Sequence, residues 1–339
     1  MPSFSGKRVT LQDVASATGY TANTVSRALK NKPDISAETS KKIQDAARRM
    51  GYVRNAMAGS LRSGHTRTLG VIVGGMSNPY YGRMTDSIQD AAAEEGYSLL
   101  IFCSRDDPEL EYQLIETAIS RQVDGILLFP CRGSQRTIER LKAVGIPYVL
   151  MARYLKEGQD DCVICDEEKG AYLATKHLLD AGRRPAFLNS YDVVFSSEQR
   201  RAGFLRACRE AGLSPEHCPI AVCPDDEAVC RQLLEWKAQG VDGLFVFCDM
   251  EAWSARLLMR TLNLKTPRDF AIVGFDNIQG TWRLPSPLCS VDYSISDMVK
   301  SGMALLMKRI HGERSAPETV LFEPRIVCRG SCGRPFEDE

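Results

Sequence analysis

The chain has 339 residues, of which 44% are hydrophobic and 25% charged, and its formal net charge is zero. These values are typical of a soluble globular protein with two or three domains. The first ten residues are polar, and no apolar run approaches the roughly 18–20 residues that span a bilayer. The sequence therefore argues against a signal peptide and a membrane anchor, and we expect a cytoplasmic protein.

Charge is distributed unevenly along the chain. Residues 1–65 contain 11 Lys and Arg against 4 Asp and Glu, so this part carries +7 and residues 66–339 carry −7. A basic head on an acidic remainder indicates that the head, and not the remainder, meets phosphate groups.

The segment TLQDVASATGYTANTVSRALKN (10–31) predicts a helix-turn-helix. Apolar residues recur at helical spacing on both sides of Gly19, which occupies the position of a tight turn. They are Leu11, Val14 and Ala15 before the glycine, and Val25, Ala28 and Leu29 after it. The second helix has the size of one that enters the DNA major groove. An ordinary helical hairpin with a polar face is the alternative.

The polar face of the second predicted helix has the chemistry of a DNA-reading surface. It combines short hydrogen-bonding side chains with one arginine, a set that suits base edges and phosphates. Its members are Ala22, Asn23, Thr24, Ser26 and Arg27.

A third helix and a short connecting segment follow. Ser36 is the expected N-cap of the third helix and Gly51 its end. Three helices can close a small core, so residues 1–54 are predicted to form a DNA-binding domain. Residues 55–65 (NAMAGSLRSGH) are too few to persist as an isolated helix in water, and a short segment of this kind can become helical as it binds DNA.

From Thr68 onward, apolar strands alternate with amphipathic helices. The predicted strands are 68–75, 97–103, 124–130, 147–152, 185–190, 243–249 and 270–276. The predicted helices include 80–96, 109–121, 167–182, 198–212 and 226–239. This alternation predicts an α/β fold with two doubly wound parallel sheets, whose strands are buried on both faces. A ligand would bind between the sheets, at the carboxyl ends of the strands.

The twelve cysteines lie mostly in apolar, strand-like runs, where a thiol behaves as a small hydrophobic group. Cys162 and Cys165 have CxxC spacing, and Cys328 and Cys332 are four positions apart. A zinc site is the alternative, but the CxxC pair is not matched by a second one. We therefore predict reduced structural thiols, with no metal and no cofactor.

Two other functions share the predicted α/β fold. A dinucleotide-dependent oxidoreductase would need a GxGxxG after the first strand, which LGVIVGGMSNP lacks. A sugar-binding transport receptor would need a signal peptide. Both leave the helix-turn-helix unexplained, so we do not expect an enzyme.

Several motifs, in this order and spacing, resemble those of bacterial transcription regulators of the lactose-repressor/galactose-repressor (LacI/GalR) family. They are TLQDVA, TVSRAL, GYVRNAMAGSLRSG, LGVIV with SNPYY, DDPELEYQLIETAISRQVDGILLFP, SSEQRRAGF and IVGFDN. The resemblance covers nearly the whole chain. It implies a three-helix DNA head, a hinge helix and a two-lobed, periplasmic-binding-protein-like effector domain in a homodimer. GRPFEDE lacks leucine heptads, so we expect no tetramerising coiled coil.

The resemblance also implies where the lobes divide. The effector domain would span residues 66–339, with the chain crossing between lobes near 163–166, 290–294 and 318–322. The first lobe would comprise residues 66–163 and 294–318, and the second lobe residues 166–290 and 322–335.

On the DNA side, the resemblance assigns residues to bases, phosphates and the hinge. Asn23 suits an adenine edge, Ala22 a thymine methyl and Arg27 a guanine edge of a pseudo-palindromic operator. Thr10, Thr24, Ser26 and Asn31 match positions that hold the DNA backbone. The hinge contacts would be Asn55, Ala58 and Leu61, with Leu61 wedged into the minor groove. Arg54 departs from the family, which has proline there.

On the ligand side, Arg200 matches the arginine that holds hydroxyl or carboxylate groups, and Asp276 matches its acidic partner. The remaining predicted contacts are Tyr80, Tyr81, Phe195, Cys248 and Trp282, with core packing as the alternative for the aromatic residues. Two positions depart from the family, since Ala152 replaces an acidic residue and Cys248 an asparagine. Fewer polar groups predict a ligand with fewer hydroxyls on that side or with a carboxylate. We expect a sugar or sugar acid that controls a repressor allosterically.

Overall fold

The computed structural model describes residues 9–53, 64–155, 159–189, 195–278 and 287–335. Two compact units divide the chain, Met1–Thr66 and Arg67–Glu339.

The first unit is the predicted three-helix domain, with α1 (Leu11–Thr18), α2 (Ala22–Ala28) and α3 (Ala37–Arg49). Each helix begins at a capping side chain, since Thr10, Thr21 and Ser36 accept hydrogen bonds from backbone N–H groups of the first turn. Gly19 ends α1 in the left-handed conformation, at φ 76°, which glycine adopts without strain. The apolar faces of the helices meet in one core of buried residues, namely Val14, Ala15, Val25, Ala28, Ile43 and Ala47.

The second unit contains two six-stranded sheets. The first sheet has the order β11-β5-β4-β3-β1-β2 and is parallel throughout. Its strands are β1 (Thr68–Val73), β2 (Ser98–Cys103), β3 (Gly125–Leu128), β4 (Tyr148–Met151), β5 (Cys162–Cys165) and β11 (Thr319–Phe322). The helices packed on it are α4 (Pro79–Glu94), α5 (Pro108–Ser120), α6 (Gln135–Val144) and α11 (Ile295–Ile310). We call this sheet with its helices the first lobe.

The second sheet has the order β12-β10-β9-β8-β6-β7, and β12 alone among these strands runs antiparallel to its neighbour. Its strands are β6 (Pro185–Asn189), β7 (Ile220–Val222), β8 (Gly243–Val246), β9 (Ala271–Phe275), β10 (Cys289–Asp292) and β12 (Arg325–Val327). Its helices are α7 (Glu167–Asp180), α8 (Phe195–Glu210), α9 (Asp226–Ala238) and α10 (Asp249–Thr261), with a short 3-10 turn at Pro215–His217. We call this sheet with its helices the second lobe.

The inner strands of both sheets are buried on both faces, whereas the edge strands β2, β7, β11 and β12 are partly exposed. Helices on both faces of a parallel sheet produce this pattern. The structure confirms the predicted fold class, a three-helix unit followed by two doubly wound parallel sheets. Within the described part of the chain, no helix is both long and apolar enough to cross a membrane.

The chain passes between the sheets at three places. It leaves the first sheet after Cys165, returns after Asp292, and leaves again between Phe322 and Arg325. The third passage lies beyond the predicted 318–322, because residues 319–322 extend the first sheet as its edge strand beside β5.

Candidate DNA-binding surface and ligand-binding cleft

Helix α2 presents the predicted polar face to solvent. Asn23 and Arg27 are exposed, and Ala22, Thr24 and Ser26 are half-buried. Val25 and Ala28 are fully buried in the three-helix core. The helix is therefore fixed by its apolar face while its polar face remains accessible to a partner.

The guanidinium of Arg27 is held by a residue that sequence reasoning did not single out. Its Nε donates to Oδ2 of Asp34 at 2.7 Å, and its Nη2 lies 2.5 Å from the same oxygen. This hydrogen bond lowers the pKa of Asp34. The pair orients the arginine along the exposed face, and it places a carboxylate beside the predicted base-reading residue.

The residues predicted to hold the DNA backbone have local structural contacts. Thr10 and Asp13 form a reciprocal capping box at the start of α1. The Thr24 hydroxyl lies 2.9 Å from that of Thr21. Asn31 has a left-handed backbone, at φ 52°, and its Oδ1 accepts from Nε2 of Gln44 at 2.7 Å. The hinge predictions at Arg54, Asn55, Ala58 and Leu61 lie outside the described residues.

Arg200 is the centre of a buried charge cluster in the second lobe. It projects from α8, and only 5% of its side chain is exposed. Its Nε donates to Oε2 of Glu167 at 2.6 Å, and its Nη1 donates to the carbonyl of Phe247. The guanidinium also stacks on aromatic faces, with Cζ 3.6 Å from the ring centre of Phe275 and 4.5 Å from that of Phe247. Such stacking stabilises a desolvated cation.

Asp276 lies next to Arg200, directly after β9. Its Oδ1 is 3.8 Å from Nη2 of Arg200 and accepts a hydrogen bond from the hydroxyl of Tyr293 at 3.1 Å. Burial raises the pKa of Asp276 to about 7, because the charged carboxylate is desolvated. The structure thus brings together the two residues that the sequence singled out in separate motifs.

Tyrosines of the first lobe adjoin this cluster. Tyr80 and Tyr81 at the start of α4 are buried, with ring centres 5.2 Å apart and ring planes inclined at 67°. The charge of Asp276 contributes to raising the pKa of both tyrosines, after the larger effect of burial. Nη2 of Arg153 donates to the Tyr81 hydroxyl at 3.2 Å, and Nη1 donates to Asp106 at 2.6 Å. Arg153 and Asp106 follow strands of the first sheet, so they line the same edge.

Two contacts join the lobes beside the cluster. Nη1 of Arg83 in α4 donates to the carbonyls of Asp276 and Asn277, at 3.2 and 2.6 Å. Arg132, after β3, forms a 3.4 Å ion pair with Glu198 of α8. The carboxyl ends of the two sheets therefore face each other across a cleft that is bridged by side chains.

Cys248 and Asp249 are buried at the start of α10, next to the loop that follows β9 (residues 276–278), which we call the cleft loop. Asp249 is fully buried, and it accepts from Ser290 Oγ at 2.6 Å and from the backbone N–H of Ile278 at 2.8 Å. Burial raises its pKa to about 8. Cys248 is also buried, and its pKa is raised by the same cause. Asp249 thus fixes the loop that carries Asp276 and Asn277.

The other predicted wall residues are less defined. Phe195 lies in the first turn of α8, but its side chain is outside the described part of the structure, as is all of Trp282. Glu167 and Arg153 were not predicted, although both are charged residues within two positions of a strand's carboxyl end. Charged residues at the carboxyl ends of parallel strands are the sequence signal that could have identified them, because ligands bind there in α/β folds.

A helix-turn-helix unit followed by a two-lobed α/β unit with a charged interlobe cleft defines a DNA-binding regulator of transcription with a ligand-binding-type domain. Three family models match in chain order. Residues 10–55 match the model for bacterial regulatory proteins of the lacI family. Residues 66–249 match the model for periplasmic binding proteins and the sugar binding domain of the LacI family. Residues 175–332 match the model for a periplasmic binding protein-like domain. The chain belongs to the LacI family.

Relatives are similar over their whole length. The transcriptional repressor PurR of Actinobacillus pleuropneumoniae serotype 3 is 27% identical, over 95% of this chain and 98% of the relative. The transcriptional regulator DegA of Bacillus subtilis is 29% identical, over 96% and 98%. Among solved structures, the CelR–cellobiose complex has a TM-score of 0.69 at 25% identity, covering 96% of this chain and 100% of that one. The lac repressor dimer bound to operator and an anti-inducer shares the fold, with a TM-score of 0.80 at 19% identity and coverage of 96% and 99%.

Proposed function

We propose that this chain is a cytoplasmic repressor whose homodimer binds a pseudo-palindromic operator, and whose operator affinity changes when a sugar or sugar acid binds between the lobes. The observation that carries the proposal is the buried Arg200–Asp276 pair, which lies beside Tyr80 and Tyr81 where the two sheets face each other. Such a constellation suits a small polar ligand better than it suits catalysis, because each charged group is held by a structural partner.

The spacing of the Arg200–Asp276 pair favours a ligand with hydroxyl groups. At 3.8 Å the two side chains are too far apart for a direct hydrogen bond. A ligand hydroxyl can accept from Nη2 of Arg200 and donate to Oδ1 of Asp276. A sugar carries several adjacent hydroxyls, each of which can both donate and accept a hydrogen bond in this way. The neighbouring aromatic rings offer apolar faces to the sugar ring.

Two arginines support a ligand that also carries a carboxylate. Arg200 approaches the cleft from the second lobe and Arg153 from the first, and 13% or less of each side chain is exposed. Guanidinium groups bind carboxylates in a bidentate manner. The CelR–cellobiose complex and a ribose-bound LacI family regulator from Enterococcus faecium show sugars bound to proteins of this fold.

The proposed coupling acts through the contacts between the lobes. A ligand that binds two arrangements of the lobes with different affinities shifts their populations. The coupling free energy between ligand and operator binding is typically about 1–3 kcal/mol. In the dimer, this shift would bring the hinge segments (residues 55–65) together or apart. Paired hinges would form helices that insert Leu61 into the minor groove, with Asn55 and Ala58 beside it. Separated hinges would release the operator.

The operator half of the proposal is tested by selecting duplexes from a random pool with the purified full-length chain. Binding to the enriched site is then measured by fluorescence anisotropy at several salt concentrations. We expect a two-fold-symmetric site and a steep loss of affinity with salt. Weak, sequence-indifferent binding, with and without the candidate ligands, would contradict operator recognition.

The ligand half is tested by thermal shift against neutral sugars, sugar acids and purine bases, followed by anisotropy on the selected operator. We expect one of the first two classes to raise the melting temperature and to change operator affinity. Asp276→Asn should abolish both effects, whereas Arg201→Ala, at the exposed neighbour of Arg200, should retain them. A response to purine bases alone would overturn the sugar assignment and leave the operator result standing.

A further inference from the structure

Four side chains that are distant in sequence converge at one end of the second sheet, away from the residues assigned to the ligand cleft. They are His177 in the last turn of α7, Cys289 at the start of β10, and Cys328 and Cys332 after β12. Their potential ligand atoms, one nitrogen and three sulfurs, all lie within 4.8 Å of one another. Cys289 and Cys332 are fully buried, and Cys328 is half-buried.

The sulfur spacing is that of a tetrahedral metal centre. Sγ of Cys328 lies 3.8 Å from Sγ of Cys289 and 3.5 Å from Sγ of Cys332. An ion bound tetrahedrally at about 2.3 Å from each sulfur requires sulfurs separated by about 3.8 Å. We propose that His177, Cys289, Cys328 and Cys332 form a structural Cys3His site for Zn²⁺.

His177 supplies an independent indication of a missing ligand. Its Nε2 is buried and has no hydrogen-bond partner among the described residues. Buried polar atoms without a partner are rare, because they lose their hydrogen bonds to water without a replacement. A metal ion at the centre of the three sulfurs would satisfy the Nε2 lone pair.

The backbone around the cysteines is arranged as in metal–thiolate turns. The N–H of Arg329 donates to Sγ of Cys289 at 3.2 Å, and the N–H of Arg334 donates to Sγ of Cys332 at 3.4 Å. Gly333 has φ 91°, a left-handed conformation that turns the chain back toward Cys332. Hydrogen bonds of this kind stabilise thiolates and orient them toward a metal.

The fold holds the cluster in place through Ser331. Its Oγ donates to the carbonyl of Ile272 at 2.6 Å and accepts from the N–H of Cys289 at 2.7 Å. The C-terminal segment is thereby docked on β9 and β10 with both of its cysteines facing His177. Binding Zn²⁺ releases the three thiol protons to solvent and cross-links α7, β10 and this segment.

The ligand set distinguishes zinc from the alternatives. Three thiolates and one imidazole match the Cys3His sites of structural zinc, and they do not suit Mg²⁺ or Ca²⁺, which prefer oxygen ligands. A disulfide would join two of the sulfurs and would make no use of the imidazole of His177. The CxxC pair is not a second site, because Cys162 and Cys165 lie on opposite faces of β5 and pack in different apolar clusters.

The site is tested on the full-length chain purified under anaerobic, reducing conditions. Bound zinc is counted by elemental analysis, and the zinc is then exchanged for Co²⁺, whose absorption spectrum reports geometry and thiolate ligation. The test variants are His177→Ala and Cys328→Ser. Cys328 is chosen because it is the least buried of the three cysteines, and circular dichroism verifies that each variant folds. The matched control is Cys223→Ser, at a half-buried cysteine outside the cluster.

We expect one zinc per chain and a tetrahedral Co²⁺ spectrum with thiolate charge-transfer bands. Loss of a hydrogen-bond partner of a metal ligand can weaken metal binding by roughly 100-fold. His177→Ala and Cys328→Ser remove ligands themselves and should weaken Co²⁺ binding by more than this. Cys223→Ser should bind Co²⁺ as tightly as the parent chain does. The proposal is overturned if the reduced chain binds neither Zn²⁺ nor Co²⁺ at one ion per chain, or if the Co²⁺ spectrum lacks thiolate bands. It is also overturned if the folded variants bind Co²⁺ as tightly as the parent chain, or if Cys328 and Cys332 are joined by a disulfide.

Discussion

Glu167 and Arg200 form a buried ion pair, with Nε of Arg200 donating to Oε2 of Glu167 at 2.6 Å and no more than 7% of either side chain exposed. The neighbouring pair on the same two helices, Glu168 and Arg206, is equally short at 2.6 Å, but 36% and 40% of its side chains are exposed. Two ion pairs of equal length thus differ strongly in solvent access, and we expect burial to decide most of what each contributes.

Replacing one acid of each pair separates these contributions. Glu167→Gln should lower the free energy of unfolding by about 3–5 kcal/mol, because it leaves the Arg200 guanidinium buried without its nearest anion. Glu168→Gln should cost about 1 kcal/mol or less, since water screens the exposed pair. Urea denaturation of both variants at pH 7 provides the measurement. Equal losses in the two variants would refute the importance assigned to burial.

Gly203 sets the close approach of α7 and α8. A Cβ at this position would lie 2.0 Å from the carbonyl oxygen of Glu168 and 2.8 Å from the backbone nitrogen of Tyr172. Gly203→Ala must therefore push backbone against backbone and should destabilise the chain by several kcal/mol. The helical control is Gly82→Ala, where a Cβ meets nothing within 4 Å, and which should stabilise by about 0.5–1 kcal/mol.

Thermal or urea unfolding of these two glycine variants gives the comparison. If Gly203→Ala were tolerated as well as Gly82→Ala, the α7–α8 contact could not be as close as described, and the position of Glu167 relative to Arg200 would be in doubt.

Much of the fold followed from periodicity because its signals are local. The cap at Ser36, the turn glycine at Gly19 and most of the apolar inner strands arise from neighbouring residues. The edge strands β7, β11 and β12 were not among the predicted strands. They are only three or four residues long and partly exposed, so pairing in the sheet defines them rather than an apolar run. The inner strands β5 and β10 were not among the predicted strands either, since β5 has only four residues and Ser290 and Asp292 interrupt the apolar pattern of β10.

The sites were harder to predict, since they depend on contacts between distant parts of the chain. Arg200 and Asp276 were found through family motifs. Their partners were not, because nothing in the sequence pairs Glu167 with a residue 33 positions away. The thiol cluster shows the same limit. Spacing drew attention to two pairs of cysteines, of which Cys162 and Cys165 point apart. The topology of the second sheet gathers the other pair, Cys328 and Cys332, with His177 and Cys289, and no spacing indicated those two partners.

The two buried carboxyls near the cleft loop predict a dependence of stability on pH. Burial raises the pKa of Asp249 to about 8 and that of Asp276 to about 7. The native state therefore binds more protons than the unfolded chain between about pH 4 and 8, so these groups make stability fall as pH rises through that window. Each can contribute a slope of up to about 1.4 kcal/mol per pH unit.

Asp249→Asn isolates one of these groups, because an amide can still accept from Ile278 and donate to Ser290 Oγ. Urea denaturation from pH 5.5 to 7.5 should show a shallower loss of stability in the variant than in the parent chain. Asp180→Asn, at an exposed residue paired with Lys176, serves as the control and should keep the parent slope. Parallel curves for Asp249→Asn and the parent would show that Asp249 is already ionised in the native state.

The hinge prediction concerns Leu61, which lies outside the described residues. If its side chain wedges into the operator centre, Leu61→Ala should weaken operator binding far more than binding to a random duplex, because only the operator is kinked. Anisotropy titrations with both duplexes at one salt concentration make the comparison. Equal losses on the two duplexes would rule out the wedge.

The Arg27–Asp34 pair predicts opposite effects for its two members. Arg27→Ala should weaken binding to the selected operator by about 10- to 100-fold and relax the preference at one base pair, since a bidentate base contact is lost. Asp34→Asn should instead tighten binding to any duplex, because it removes a negative charge from the predicted DNA-binding surface and frees the guanidinium. Arg48→Ala, at an exposed arginine in the last turn of α3, is the control for charge alone and should weaken operator and random duplex to the same small extent. If Arg27→Ala behaves as Arg48→Ala does, then Arg27 contacts phosphates, and base reading must be assigned to Asn23 and Ala22 instead.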